Sequence, residues 1–188
     1  MKRIASFEVD HTVLQPGMYL SRTDGDVVTY DLRFVRPNTP PFLPPAVLHT
    51  IEHLFATYVR NSVFAPHIVY FGPMGCRTGF YFLTQGMRHE DAIELTRQAL
   101  RFIAEYEGEI PGATAAECGN YLEQDLPGAR AAAARMLPVL AHWQAGDLQY
   151  TKGSDGGWYT NTFSAERPRD RRLPALRCST TIPWRSTC

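Results

Sequence analysis

Two histidines with a glutamate between them form the stretch with the clearest potential for chemistry, His49-Thr50-Ile51-Glu52-His53. On a helix, residues four apart lie on one face and one turn apart, so both imidazoles can bind one divalent metal ion. Glu52 would then lie close enough to move protons beside that ion. The spelling H-x-x-E-H also matches the inverted zinc-peptidase motif, in which the glutamate activates water. The motif therefore predicts a metal site and leaves its reaction open.

A third metal ligand is expected, because a catalytic site of the zinc type has three protein ligands and one open position. Aspartate, glutamate, histidine or cysteine could supply it. Cys118 lies in a predicted loop before a helix and is free to fold back toward the histidines. Two nitrogens and one sulfur would suit Zn²⁺ or Fe²⁺. Taken alone, Cys118 is equally well a small buried thiol.

A second cysteine, Cys76, stands in a glycine-rich loop that runs from Gly72 to Gly79. Exposed backbone N–H groups and the neighbouring Arg77 could stabilise a thiolate there, as a nucleophile or a proton carrier. An inert cysteine at the start of a strand is the alternative. Arg33 and Arg36 lie near the end of a predicted strand, where they could bind a substrate carboxylate or simply be solvated.

Hydrophobic periodicity predicts the elements that carry these residues. The predicted strands are Ile4–Asp10, Met18–Arg22, Val27–Phe34, His67–Phe71 and Phe80–Thr84, and the predicted helices are Pro45–Asn61, His89–Tyr106 and Gly128–Trp143. In the first helix the apolar stripe lies on a different face from the histidines, so their face is free to line a site. Strands and helices do not alternate regularly, which favours an α+β fold with an antiparallel sheet packed against helices and the metal site on the first helix.

The bulk composition suits one soluble domain and excludes a strong global attraction to nucleic acid or anionic membranes, since the formal net charge is +0. Residues 1–150 carry 12 Lys/Arg against 16 Asp/Glu, whereas residues 151–188 carry 7 basic and 3 acidic side chains. The periodicity fails from Lys152. We expect a domain at 1–151 and a basic, poorly ordered tail at 152–188, or alternatively a short added strand that uses Trp158, Tyr159 and Phe163.

The N-terminal residues lack the apolar run of a signal peptide, and no stretch approaches the ~20 apolar residues needed to span a bilayer. We therefore expect a cytoplasmic protein with reduced thiols.

Five blocks of sequence, in the same order along the chain, resemble the S-ribosylhomocysteine lyase (LuxS) family over about residues 4–150. They are Ser6-Phe7-Glu8-Val9-Asp10-His11, Asp31-Leu32-Arg33-Phe34, His49-Thr50-Ile51-Glu52-His53-Leu54, Pro73-Met74-Gly75-Cys76-Arg77-Thr78-Gly79 and Glu117-Cys118-Gly119. Five co-linear blocks are far more specific than H-x-x-E-H alone.

The resemblance implies a carbon–sulfur lyase that cleaves S-ribosylhomocysteine to homocysteine and 4,5-dihydroxy-2,3-pentanedione, the precursor of the quorum-sensing signal autoinducer-2. It implies one divalent metal ion per subunit, Fe²⁺ in this family with Zn²⁺ or Co²⁺ as substitutes, and a homodimer with active sites at the interface. The implied roles are metal binding for His49, His53 and Cys118, acid/base catalysis for Cys76 and Glu52, and substrate binding for Ser6, His11 and Arg33.

This chain departs from the family pattern in two places. Some members have an aspartate six residues before the catalytic cysteine, contacting the substrate amino group, and here Tyr70 takes that place. Family members end near Tyr150, which leaves the basic tail unexplained. Two other functions stay open on the residues alone: an inverted-motif metallopeptidase, and a non-enzymatic metal-binding module with a closed four-ligand site.

Overall fold

The computed structural model describes residues 9–152 and 158–159. Its strands are β1 (Gly17–Asp24), β2 (Val27–Arg33), β3 (Ile68–Pro73), β4 (Gly79–Gln85), β5 (Thr151–Lys152) and β6 (Trp158–Tyr159). Its α-helices are α1 (Pro45–Arg60), α2 (His89–Glu105) and α3 (Leu126–Leu140). The first four strands form one antiparallel sheet in the order β1-β2-β4-β3, while β5 and β6 pair separately. The α+β class and the antiparallel sheet are confirmed.

Two hairpins joined by α1 build the sheet. The β1–β2 hairpin turns at Gly25, whose φ of +63° is a conformation that favours glycine, as the Asp-Gly pair predicts. The β3–β4 hairpin turns through residues 74–78, the loop that carries Cys76. Because β2 pairs with β4, the end of β2 lies beside the start of β4, and Arg33 is the register partner of Gly79. This pairing brings Arg33 to the cysteine loop.

The core fills the space between one face of the sheet and the three helices. Aromatic rings from β3 and β4 meet α1 there, and Phe55 stacks on Phe71 with ring centroids 3.8 Å apart. Buried aliphatic residues of α2 and α3 complete the same cluster. Burial of this apolar surface is what anchors α1 to the sheet.

Helix α1 begins as predicted, with Pro45 in its first turn, where a missing N–H costs no hydrogen bond. Val47, Ile51 and Leu54 are buried, whereas His49 and His53 are only partly buried. The predicted separation of the core face of α1 from the face that carries the histidines is therefore confirmed. At the other end, Arg60 donates to the carbonyl of Val69 on the edge strand β3, at 3.1 Å.

The other predicted elements are present with shifted ends. The third helix runs from Leu126 to Leu140, so Trp143 lies beyond its end, where the indole donates to the Met18 carbonyl at 2.8 Å. Most of the predicted strand Ile4–Asp10, including Ser6, lies outside the described residues, and so does most of the 152–188 segment. Within the described part of the chain, no helix is long and apolar enough to cross a bilayer.

Candidate metal centre and thiol site

Helix α1 brings the two histidine rings together as their spacing predicts. His49 Nε2 and His53 Nε2 lie 3.0 Å apart, and the rings meet edge to face with centroids 4.6 Å apart. Both residues are partly buried, so they are shielded from bulk water yet reachable from it.

Backbone carbonyls orient both rings. His49 Nδ1 lies 2.9 Å from the Glu123 carbonyl oxygen, and His53 Nδ1 lies 2.7 Å from that of Pro111. A carbonyl can only accept, so each Nδ1 carries the proton and each Nε2 keeps a bare lone pair. Two facing lone pairs at this distance repel unless a cation lies between them. The geometry therefore fits a metal ion.

Cys118 completes a group of three ligand atoms. Its Sγ lies 3.3 Å from His49 Nε2, and the Sγ and imidazole nitrogen atoms all lie within 4.8 Å of one another. Ligands at ~2.0–2.3 Å from one tetrahedral zinc ion are separated by about 3.4–3.6 Å, so this spacing suits a single ion. Two nitrogens and a sulfur fit Zn²⁺ or Fe²⁺. Aspartate, glutamate, histidine and cysteine were the candidate types of third ligand. The structure places a cysteine, Cys118, beside the histidines.

The loop that returns to α1 is held by Thr50, a residue that the sequence did not single out. Thr50 is fully buried, and its hydroxyl accepts the N–H of Asp125 at 2.8 Å and donates to the side-chain oxygen of Gln124 at 2.7 Å. Asp125 also caps α3 by accepting from the N–H of Gly128. The Glu123 carbonyl is thereby fixed against His49. A threonine on the buried side of an amphipathic helix was the only available signal.

Glu52 lines the same cleft as His49, a space of about 360 Å³ that also borders Met74 and Gly75. It is partly buried. Among the described residues, no side chain or backbone group is hydrogen-bonded to its carboxylate. A carboxylate beside the ligands with no structural hydrogen bond is available to exchange protons with a bound molecule.

Directly after the 73–75 segment, Cys76 is exposed and has two polar neighbours. Its Sγ lies 3.0 Å from Thr78 Oγ1 and 3.8 Å from Arg33 Nη1. Arg33 Nη1 also donates to Thr78 Oγ1 at 2.5 Å. The expected cation beside the thiol is therefore present, but it is Arg33; within the described part of the chain, Arg77 makes no hydrogen bond or ion pair with Cys76.

Arg33 is itself buried, with 2% of its surface exposed. Its Nη2 pairs with Asp31 Oδ2 at 2.5 Å. Burial lowers the pKa of Arg33, but the Asp31 carboxylate outweighs burial and Cys76 acts in the same direction, so its pKa is raised. The guanidinium is thus a permanent cation beside the thiol. The pKa of Tyr81 is also raised, first by burial and then by the Asp31 carboxylate, so its hydroxyl stays a neutral donor. Tyr81 lines a second cleft together with Arg33 and Cys76.

This second cleft, about 460 Å³, brings together His11, Arg33 and Cys76. His11 Nδ1 bonds the Val9 carbonyl at 2.8 Å, which leaves Nε2 free to face a ligand. Arg36 instead donates to the backbone carbonyl of Thr12 at 3.0 Å and so supports the segment that carries His11. This contact favours a structural function for Arg36.

The two clefts share the wall formed by Pro73, Met74 and Gly75. Tyr70, on β3, is 48% exposed, and its phenol lies over Gly72, where a Cβ would come within 1.9 Å of the Tyr70 hydroxyl. It lines neither cleft. The site therefore has a metal-binding side and a thiol side that share one short segment as a wall.

The arrangement suits proton transfer beside a polarised oxygen, and comparisons with known proteins point the same way. The chain matches the model of the S-ribosylhomocysteinase (LuxS) family over residues 4–146. It is 53% identical over 133 residues to an S-ribosylhomocysteine lyase of Clostridium acetobutylicum, covering 68% of this chain and 84% of that protein. It is 48% identical over 157 residues to the S-ribosylhomocysteine lyase of Phocaeicola vulgatus, covering 80% and 98% of the two chains. The corresponding lyase of Borreliella afzelii is 44% identical over 156 residues.

Proposed function

The chain belongs to the S-ribosylhomocysteinase (LuxS) family, and we propose that it cleaves S-ribosylhomocysteine with the help of a divalent metal ion held by His49, His53 and Cys118. The products are homocysteine and 4,5-dihydroxy-2,3-pentanedione, the precursor of autoinducer-2. The observation that carries this proposal is the presence of the two-nitrogen, one-sulfur cluster together with a thiol beside a buried guanidinium, at two clefts that share one wall.

Expelling a thiolate by β-elimination requires a carbonyl one carbon away from the carbon that carries sulfur, because the carbonyl makes the proton on the intervening carbon acidic. Proton transfers move the carbonyl of the opened ribose along its carbon chain, and β-elimination then expels homocysteine thiolate. When bound, a divalent ion at the cluster supplies a Lewis acid that polarises a substrate oxygen. The residues of the chain must therefore supply the proton transfers and hold the substrate.

Cys76 is proposed to remove and return protons α to the carbonyl from one side of the substrate, as a thiolate next to Arg33 and Thr78. Glu52, free of structural hydrogen bonds to the described residues, serves the remaining transfers from the metal side. Because Cys76 and Glu52 line different clefts, their positions support separate proton-transfer steps for the two bases.

Substrate binding is proposed for Arg33, His11 and Ser6. Arg33 and His11 line the thiol cleft, which supports their assignment. Ser6 lies outside the described residues. Since the Arg33 guanidinium already contacts Asp31, Thr78 and Cys76, its main contribution is positive charge in the wall of the cleft.

The remaining assignments rest on family membership. We propose Fe²⁺ as the metal, replaceable by Zn²⁺ or Co²⁺, and a homodimer whose interface completes each active site. Residues 1–151 are proposed as the lyase domain, with 152–188 as an appended basic tail. A cytoplasmic location remains a prediction. Nothing favours the metallopeptidase, in which the thiol and its guanidinium would have no use.

The test is thiol release from S-ribosylhomocysteine by protein purified anaerobically, followed with a thiol-reactive dye. We expect about one divalent ion per chain and steady release of homocysteine. A panel of unblocked peptides serves as the parallel substrate. Peptide cleavage without thiol release would establish the peptidase, and bound metal without either activity would favour a non-enzymatic module.

A further inference from the structure

Tyr150 and Asp31 lie behind the thiol site, and neither touches the thiol. We propose that they are positioning residues that hold the Arg33 guanidinium against Cys76; this inference rests on the proposed function of Cys76. Tyr150 lies beyond residues 4–146, the part of the chain matched by the family model. Through Asp31 and Arg33, Tyr150 links the segment just before β5 to the Cys76 thiol.

One carboxylate oxygen of Asp31 accepts two hydrogen bonds. Arg33 Nη2 and the Tyr150 hydroxyl both donate to Asp31 Oδ2, at 2.5 and 3.0 Å. Two buried polar atoms of the ion pair, Asp31 Oδ1 and Arg33 Nε, have no partner among the described residues. The ion pair therefore has a single hydrogen bond, although Asp31 Oδ1 and Arg33 Nε could form a second one.

A carboxylate and a guanidinium normally prefer a bidentate pair with two parallel hydrogen bonds. Here Arg33 uses only Oδ2, which it shares with the Tyr150 hydroxyl. Tyr150 thus anchors the carboxylate, and the anchored Oδ2 fixes Arg33 Nη2. Arg33 Nη1 is thereby kept directed at Thr78 and Cys76.

Tyr150 is suited to this task because its own position is fixed. Its ring stacks on Tyr19, with centroids 5.1 Å apart and planes 19° from parallel. Tyr19 is buried and packs in turn against Trp143. Burial, and then Asp31, raise the pKa of Tyr150 well above its ordinary value, so the hydroxyl remains a donor at all physiological pH values.

The test compares two alkylating reagents on Cys76 in the metal-loaded enzyme. Iodoacetate is an anion and iodoacetamide is neutral, yet both react with the same thiolate. The ratio of their rates therefore reports the local positive charge and cancels the thiolate fraction. Mass spectrometry of the Cys76 peptide gives both rates, and N-acetylcysteine supplies the ratio for a thiol without a neighbouring cation.

For Tyr150→Phe we expect the ratio to fall roughly threefold or more, toward that of N-acetylcysteine, because the guanidinium moves away from the thiol. Turnover should fall mainly in kcat. Tyr106→Phe is the matched control, since its hydroxyl donates to the Glu109 carbonyl at 2.7 Å far from Asp31. It should leave the ratio unchanged, and melting temperatures of both variants will separate local from global effects.

A second background makes the inference refutable by a different route. In Asp31→Asn the ion pair through which Tyr150 acts on Arg33 is lost, so adding Tyr150→Phe should not lower the ratio further. An unchanged ratio in Tyr150→Phe alone, or an equal fall when it is added to Asp31→Asn, would overturn the positioning mechanism. Alkylation needs no lyase turnover, so a failure of the proposed function would show separately, as a wild-type enzyme that releases no thiol.

Discussion

The metal centre and the thiol site border the same three residues, Pro73, Met74 and Gly75, but differ in the source of their positive charge. The metal centre consists of two imidazoles and a thiol whose ligand atoms converge, so its positive charge would be that of a bound metal ion. The thiol site carries its own cation in Arg33, buried and paired with Asp31.

Because their charge comes from different sources, the two sides depend on different parts of the structure. Local hydrogen bonds to backbone carbonyls orient the metal ligands, so that side depends on the loop from Pro111 to Asp125 and on available metal. The thiol site depends on pairing between strands and on a buried carboxylate, so it is sensitive to the packing of the sheet. Changes on one side should leave the other intact, and four experiments test that independence.

The largest effect is expected from Cys118→Ala. Removing the sulfur leaves two ligands for the ion, so the variant should lose its metal and about 10³-fold or more of its turnover, while the Cys76 alkylation ratio stays unchanged. Metal content by mass spectrometry after anaerobic purification checks this. His67→Ala is the control, because His67 is also oriented by a carbonyl, that of Gln85, yet lies outside the cluster. Full metal content in Cys118→Ala would remove Cys118 from the ligand set.

The converse change is Cys76→Ala. It should retain about one metal ion per chain and lose roughly 10²–10⁴-fold in kcat, the range for one acid/base group. Anaerobic metal analysis and thiol release are measured on the same preparation. Normal turnover would show that Cys76 carries no proton, and loss of metal would show that the two sides are coupled.

A smaller effect is expected at Gly112, which follows the carbonyl that orients His53. Gly112 has φ of +72°, and a Cβ there would lie 3.4 Å from His53 Nδ1. Gly112→Ala should weaken metal binding about 10-fold, the lower end of effects for residues that orient ligands. Competition with a chelator measures it. Gly25→Ala, at φ of +63° with no neighbour within 4 Å, carries the backbone strain alone and should bind metal normally. Equal weakening in both variants would assign the effect to strain.

The smallest effects are expected from truncation. A chain that ends at Lys152 keeps Tyr150 and should match the full-length protein within about twofold in metal content and turnover, since the described residues that line the two clefts all precede Lys152. A chain that ends at Leu148 lacks Tyr150 and should keep its metal but lose several-fold in kcat. If the chain that ends at Lys152 fails to fold, the 152–188 segment is part of the domain.

Much of the site could be predicted from the sequence because its signals are local. The i,i+4 spacing of His49 and His53 places them on one helical face, and the apolar stripe of the same helix shows which face is left over. The position of Cys118 before a helix indicated its return to the histidines only in general terms. The rest of the site has no local pattern: Thr78 meets Arg33, and Tyr150 meets Asp31, only through contacts between distant segments.

By itself, the sequence determined the element types, the helical face that carries the histidines and, through five co-linear blocks, the family. These follow from periodicity, from turn residues and from side-chain chemistry, all of which act over a few residues. The tertiary structure alone decided which cation serves Cys76. Arg77 is adjacent in sequence, but pairing of β2 with β4 places Arg33 beside the thiol, and burial with Asp31 keeps it there. Contacts of this kind depend on strand register, which no single stretch of sequence encodes.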